Sequence, residues 1–583
     1  MQWNLDTIYK GFDDNRYKND VNELKKMIED YQVWVDGLDA NSSAREQVVH
    51  YVNFTNKLHS LAEKLAVYAE LRLAANSSDE EALKNYELIQ NELINLASPE
   101  SIVRKWIGAL NNLDEITENE PLLLAYKDFL QKIKGQTAYL LSEAEESLLS
   151  LMKTTGSSAW GKLFELLSSK LLIAFEKNGK KENQPLSVIR GMAQDADPKI
   201  RKDAYEAELA AYSQIEDSIA AALNAIKGEV IQTAKRRGYQ SPLDMTLHQT
   251  RMKAQTLDAM WQAINESLPD FRRYLKHKSA LLGHDGPLPF YDLFAPISAS
   301  KTSYTLDDAQ HFIVTNFKQF SQELADLAQM AFEKGWIDAE PRQGKVGGAF
   351  CAGIHSIGES RILTNFTGKL GDLITLGHEL GHAFHGWCLR EESPIHTEYP
   401  MPLAETASIF CETIIAKAVM KNADKEEQVT ILENSITDAT QSIVDIYSRF
   451  LFETTLFEKR KEGSLSSKRL QELMLDAQIK AYGDGLDSKS LHPYMWACKP
   501  HYYSADLNFY NFPYAFGLLF ALGLYAIYQK KGTDFVEDYT KLLRFTGKGD
   551  IETVALSAGI DVTKIDFWRN SLKTVKELSL IHI

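Results

Sequence analysis

Cysteine is scarce in this chain. Only Cys351, Cys388, Cys411 and Cys498 occur among its 583 residues, and none belongs to a C-x-x-C pair. That excludes a disulfide framework and points to reduced thiols in a cytoplasmic protein. Positive charge is also in deficit: 64 Lys and Arg against 80 Asp and Glu leave a net −16. No basic face for nucleic acid is implied, and the acidity serves solubility as readily as any basic substrate. No secretory signal is expected, since the opening "MQWNLDTIYKGFDDN" has no apolar run after a basic start.

Long uncharged runs are missing, with one exception. "LNFYNFPYAFGLLFALGLYAIYQ", residues 507–529, is long enough to span a bilayer. Asn508, Asn511 and Pro513 interrupt its first third, and its tyrosines are scattered rather than gathered at two edges. It reads as a buried core helix beginning near Pro513, and no membrane partner is expected. Internal repeats and low-complexity tracts are absent. What remains is the balance of an ordinary soluble globular protein, 44% apolar and 25% charged, long enough for two or three lobes.

Helical periodicity fills most of the chain. "VNELKKMIEDYQVWVDGL" and "LHSLAEKLAVYAELRLAA" set apolar residues three and four apart. "LLSEAEESLLSLMK" carries Ser142 and Glu145 at capping-box spacing. Helical patterns resume from about Pro198, and a Gly/Pro-punctuated connector follows near residues 281–298. Only two stretches read as β. "LLIAFEKNGKKENQPLS" predicts a hairpin turning at Asn178-Gly179, and "GKVGGAFCAGIHSIGESRILTNFTG" holds two short runs around a Gly/Ser turn. The class is mostly α, with a small sheet just before a histidine-rich segment.

Histidine is sparse as well, fourteen in all, yet "TLGHELGHAFHGW" places His378, His382 and His385 within eight residues. Asp372 is the expected N-cap of a helix from about Leu373 to Trp387. On it His378 and His382 are four residues apart, so their imidazoles share one face, and Glu379 borders that face. This H-E-x-x-H spacing chelates one Zn²⁺ and sets a carboxylate within reach of a water. The rest of the helix is apolar, and imidazoles enclosed there without a partner would be costly.

Catalytic zinc takes a third protein ligand and keeps one position open. Glu391, Glu392, Glu398, Glu405 and Glu412 follow; the first two sit in a charged "REESP" exit. "MPLAETASIFCETIIAKAVM" reads as a second helix, set off by Pro394, Pro400 and Pro402, with Glu405 in its first turn. A helix returning antiparallel would bring Glu405 to the metal, with Glu412 either accepting the outer N–H of a ligand histidine or serving as a plain salt-bridge partner. His355 and His385 read as structural or surface groups, and nothing marks Cys351 as reactive.

In order, "GGAFC", "RILTNFTG", "DLITLGHELGHAFHGW", "PLAETASIFCE" and "HYYSADLNFYNFPYAFG" resemble the M3 zinc metallopeptidases, and within them the oligoendopeptidase F group. "WNLDTIY" and "FYDLFAP" look similar too. The resemblance is dense from Gly344 to Gly517 and continuous elsewhere. It implies a multi-helical, two-lobed fold around a deep channel: an N-terminal helical domain over 1–110, a helical segment with a hairpin over 111–195, and a catalytic domain over 196–583. It implies one zinc per chain on His378, His382 and Glu405, with Glu379 as general base. His501, Tyr510 and Tyr514 would face the oxyanion, with Tyr503 competing because the loop after His501 is long here. Tyr502 and Phe509 read as core.

The implied activity is hydrolysis of internal bonds in short unfolded peptides by a cytoplasmic endopeptidase. Gly347 and Gly348 would let a peptide backbone approach the "GGAFCAG" strand. A Taq-like metallocarboxypeptidase shares the H-E-x-G-H pattern. An inert helical peptide-binding protein would have lost Glu379 or a ligand, and none is missing. The oligomeric state, monomer or small homo-oligomer, is left open.

Overall fold

The computed structural model describes residues 1–38, 43–177, 179–297 and 302–580. It is 71% helical, the mostly α class that the 3.6-residue patterns imply. Two small sheets occur among the described residues. In the hairpin, β1 (Leu172–Lys177) pairs antiparallel with β2 (Lys180–Pro185), with Lys177 opposite Lys180. Asn178 of the expected turn lies outside the described residues. Gly179 beside it has φ 77°, the left-handed angle such a turn needs.

The second sheet has the order β3 (Ile337–Asp338), β5 (Glu359–Leu363), β4 (Phe350–Ile354). β4 and β5 are antiparallel, with Phe350 opposite Leu363, while β3 runs parallel to β5. The two expected runs are shifted. The first strand starts at Phe350 rather than at Gly347, because Gly344 and Gly348 have φ 85° and 82° and cannot continue a strand. The second starts two residues before Arg361 and stops at Leu363. Beyond it Asn365 turns its amide Nδ2 to the carbonyls of Val346 and Gly348, at 3.0 and 3.1 Å. Two-residue β3 has no signal in the sequence. Among the described residues β4 has a strand neighbour on one side only.

Backbone proximity divides the chain into two compact units, each built from three separate stretches. One comprises Met1–Tyr139, Lys301–Asn422 and Leu524–Ile560. Its helices Asn15–Asp36 and Ala44–Ala75 carry the two amphipathic segments singled out above. Tyr17 and Val21 from the first and Tyr68 and Leu65 from the second enter one core with Tyr9 and Phe12. The rings of Tyr9, Phe12 and Tyr17 each meet Tyr68 at 5.2, 5.1 and 6.0 Å. Ile354, at the end of β4, belongs to the same core, so the N-terminal helices anchor the three-stranded sheet.

The other unit comprises Leu140–Ser300, Ala423–Gly523 and Asp561–Ile583. Ser142 and Glu145 form the expected capping box on helix Glu143–Thr155. The pattern after Pro198 resolves into helices Pro198–Tyr212 and Glu216–Arg237, the first with proline in its opening turn and the second closed by left-handed Gly238. Phe164, Leu223, Phe452, Trp496, Tyr502 and Tyr503 share its core.

The uncharged run forms helix Phe512–Lys531, one residue before Pro513. It starts the one segment among the described residues that is long and apolar enough to cross a membrane, and 67% of that segment's apolar window is buried. It is a core helix.

Candidate metal centre and active site

The histidine helix runs Leu370–Leu389, three residues earlier than expected. Asp372 is therefore not its N-cap. From the first turn, one carboxylate oxygen of Asp372 accepts the N–H groups of Thr367 and Lys369 at 2.7 and 3.1 Å and the Thr367 hydroxyl at 2.8 Å. Those upstream groups are satisfied there, so the helix can open at Leu370. Leu370, Leu373, Leu376, Leu380, Ala383 and Phe384 are buried, and with them the backbone that aims the histidines is fixed.

The helix carrying the glutamates packs against it closely enough to require glycine. A Cβ at Gly381 would lie 2.5 Å from the Ala407 carbonyl and 2.6 Å from Ser408 Cα; at Gly377 it would lie 2.8 Å from Ile415 Cγ1. In an open helix, Gly→Ala gains about 1 kcal/mol. Gly381→Ala should instead lose about 1–3 kcal/mol, because backbone must move to admit the methyl. Thermal unfolding and metal affinity, measured together, should both fall.

Glu405 was expected inside the first turn of the second helix and is found at a joint. Pro400 and Pro402 confine the chain to a separate turn, Met401–Ala404, and the long helix runs Thr406–Asn422. The Glu405 carbonyl accepts the Ile409 N–H at 3.1 Å, so this residue feeds the long helix while its side chain stays free to project. One Glu405 carboxylate oxygen stands 3.2 Å from His378 Nε2 and 3.5 Å from His382 Nε2. The same oxygen accepts the Ser408 hydroxyl at 2.7 Å. One ligand atom from each of His378, His382 and Glu405 falls within a mutual 4.8 Å.

His378 Nδ1 stands 2.8 Å from a Glu412 carboxylate oxygen, so in the neutral ring that nitrogen carries the proton. Nε2 then turns a lone pair toward the Glu405 oxygen, an arrangement that calls for a positive charge between them. Burial works against a proton on His378, yet Glu405 and Glu412 outweigh it and push the imidazole up to about 10. Burial likewise disfavours charge on Glu405, and the two histidines still hold its carboxyl well below the usual range. A divalent cation satisfies all three groups at once, where a proton satisfies two, so the residues present fit a metal. Glu412→Gln should keep the hydrogen bond to Nδ1 but lose the charge behind it. Metal affinity should fall about 10–100-fold, read by competition with a chromophoric chelator.

Glu379 lies one residue from His378 and is 5% exposed. One of its carboxylate oxygens has no hydrogen-bond partner, and burial pushes its carboxyl up against the pull of His382 and His378. Nearby Cys351 is a thiol rather than a thiolate, because burial and the Glu379 charge push it up.

His385 turns away from this group. It is fully buried, stacks on Tyr399 at 4.2 Å and sets Nε2 2.9 Å from the Thr546 hydroxyl, a structural role. His355 offers its backbone N–H to Glu63 at 3.1 Å. Gly347 and Gly348 are exposed, with open space where a Cβ would stand.

The aromatic cluster belongs to the second unit. His501 lies in the short helix Pro500–Tyr503, its ring 5.4 Å from that of Tyr510, and the Tyr510 and Tyr514 hydroxyls are 2.9 Å apart. Burial, with Arg449, Lys227 and Lys499, pushes His501 down to about 3, so it is a neutral imidazole. Tyr514 is 37% exposed. Tyr503 does not compete with these: it stacks flat on Phe164 at 3.7 Å and is 4% exposed. Tyr502 and Phe509 are core, as their surroundings in the sequence imply. Sequence reasoning missed Ser408 and Tyr399. Ser408 stands three residues after Glu405, a spacing that could have flagged it.

The family model described as Peptidase family M3 matches residues 191–574, and one described as Oligopeptidase F matches residues 111–172. Group B oligopeptidase PepB of Streptococcus agalactiae is 27% identical over 99% of this chain and 95% of its own. The crystal structure of a putative peptidase from Chlamydophila abortus matches with TM-score 0.85 and 23% identity, over 99% of this chain and 98% of its own. The structure of oligoendopeptidase-F from Enterococcus faecium matches with TM-score 0.68 and 20% identity, over 96% of each chain. At these identities the two structures show a shared fold.

Proposed function

The chain belongs to peptidase family M3, and on that premise we propose that it is a zinc-dependent endopeptidase cutting internal bonds of short, unfolded oligopeptides. Relatives named oligopeptidase and oligoendopeptidase support the substrate class. The observation that carries the reading is the convergence of His378, His382 and Glu405, with the unpartnered carboxylate of Glu379 on the same helix. One zinc per chain would be held by those three side chains. When bound, the ion supplies Lewis acidity, making water acidic near neutral pH and polarising a carbonyl.

The remaining work falls to the protein. Glu379 takes a proton from the attacking water and returns it to the leaving amine, and a carboxylate with an unshared oxygen suits both halves. Glu412 orients His378 through Nδ1. His501, Tyr510 and Tyr514 donate hydrogen bonds to the oxygen that becomes negative as the carbonyl turns tetrahedral. A neutral imidazole and two phenols add donors there without adding fixed charge. Gly347 and Gly348 leave room for an extended peptide to approach the edge of β4 that has no strand neighbour among the described residues, giving affinity through backbone pairing. All of these residues lie within 196–583, the segment proposed as catalytic. Its free thiols suit a reducing cytoplasm.

The test is an internally quenched peptide blocked at both ends, set against the same peptide with a free C-terminus. Cleavage of the blocked form supports the endopeptidase. Cleavage of the free form alone would make the enzyme a carboxypeptidase, and cleavage of neither by zinc-loaded protein would overturn the substrate class.

A further inference from the structure

A buried ion pair in the second unit spends its spare hydrogen bonds on one short piece of backbone. Lys227, on helix Glu216–Arg237, and Glu453, on helix Ile446–Arg460, pair at 2.8 Å with side chains 0% and 3% exposed. Lys227 Nζ also donates to Asn508 Oδ1 at 2.9 Å. The second oxygen of Glu453 accepts the Phe509 N–H at 2.9 Å. Thr246 adds a bond from its hydroxyl to the Asn508 carbonyl at 3.2 Å.

Phe509 is one of two non-glycine residues with positive φ among those described, at 51°. A bulky side chain there is strained and persists only where the surroundings over-determine it. The Phe509 ring is held between Phe450 and Phe457, at 5.4 and 5.5 Å, and its carbonyl accepts the N–H of Phe512, where the next helix begins. The residue after this turn is Tyr510, which lies against His501 and reaches the Tyr514 hydroxyl.

Stability does not account for the pair. Removing two charges from water costs about what their attraction returns, and apolar residues of similar volume often serve as well or better. A donor and an acceptor fixed on adjacent residues of a strained turn do what apolar side chains cannot. We propose that Lys227 and Glu453 are positioning residues, whose buried pair clamps Asn508 and Phe509 in the turn that presents Tyr510 to His501 and Tyr514. This rests on the reading of those three side chains as the groups that serve the oxyanion.

The test replaces the pair by Lys227→Met with Glu453→Met and measures kcat, KM, zinc content and unfolding temperature, in wild-type and Tyr510→Phe backgrounds. The expected result is a kcat lower by about a hundredfold with KM within about threefold, zinc retained and stability near wild type. In the Tyr510→Phe background the further loss should shrink to about threefold, because the hydroxyl that the clamp presents is already gone. Equal losses in both backgrounds, or no loss in either, would overturn the clamp. Full turnover in Tyr514→Phe and Tyr510→Phe alone would overturn the reading beneath it, and the clamp with it. Should the double variant not fold, Asn508→Ala carries the same comparison with the ion pair intact: the same shrinkage supports the clamp and its absence overturns it.

Discussion

Glu379→Gln should bind zinc as wild type does and lose about 10⁴-fold in turnover, at the upper end for a single acid–base group because one carboxylate serves both proton transfers. The substitution keeps the size of the side chain and removes its capacity to accept a proton. Metal content is expected to hold because the converging atoms belong to His378, His382 and Glu405. Unfolding temperature should be no lower than wild type, since a buried carboxylate oxygen without a hydrogen-bond partner is a cost to the fold. Activity lost while stability holds or rises is what separates a chemical role from a structural one. The measurement is kcat on a doubly blocked peptide, with zinc quantified in the same preparation. A variant that cuts as fast as wild type would end the mechanism proposed here.

Local spacing made the centre legible. His378 and His382 share a face because four residues make about one helical turn, and the apolar residues between them announce that the face is enclosed. The candidacy of Glu405 followed from its place after the prolines, although the break at Ala404 did not, since two prolines can open one helix or interrupt two. Gly381 is part of the motif, yet only the position of the Ala407 carbonyl shows what it is for. Spacing says nothing about partners far away in sequence. Lys227 and Glu453 lie on helices that read as ordinary amphipathic segments, and only tertiary packing brings them together on Asn508 and Phe509. For the same reason Tyr503 and Tyr510 looked equivalent, although one stacks in a core and the other meets a second tyrosine. The division into units was equally hidden, because each unit draws on three stretches of chain and no composition shift marks the crossings.

Glu405→Ala should be the second large loss, and it falls on the metal rather than on the proton transfers. Zinc held by four protein ligands is worth roughly 10–16 kcal/mol, so one ligand accounts for about 3–4 kcal/mol and a weakening of about 10²–10³-fold. The geometry adds a further reason. The Glu405 oxygen is the point at which His378 Nε2, His382 Nε2 and the Ser408 hydroxyl meet, and removing it leaves two lone pairs with no anion to balance a cation between them. Glu412 cannot replace it, because its oxygen lies on the Nδ1 side of His378, across the ring from the site. The two glutamate variants should therefore separate. Added zinc should restore Glu412→Gln at modest excess, whereas Glu405→Ala should need concentrations raised by the full loss of affinity. A chelator titration that finds Glu405→Ala binding as tightly as wild type would mean that the third ligand is another group.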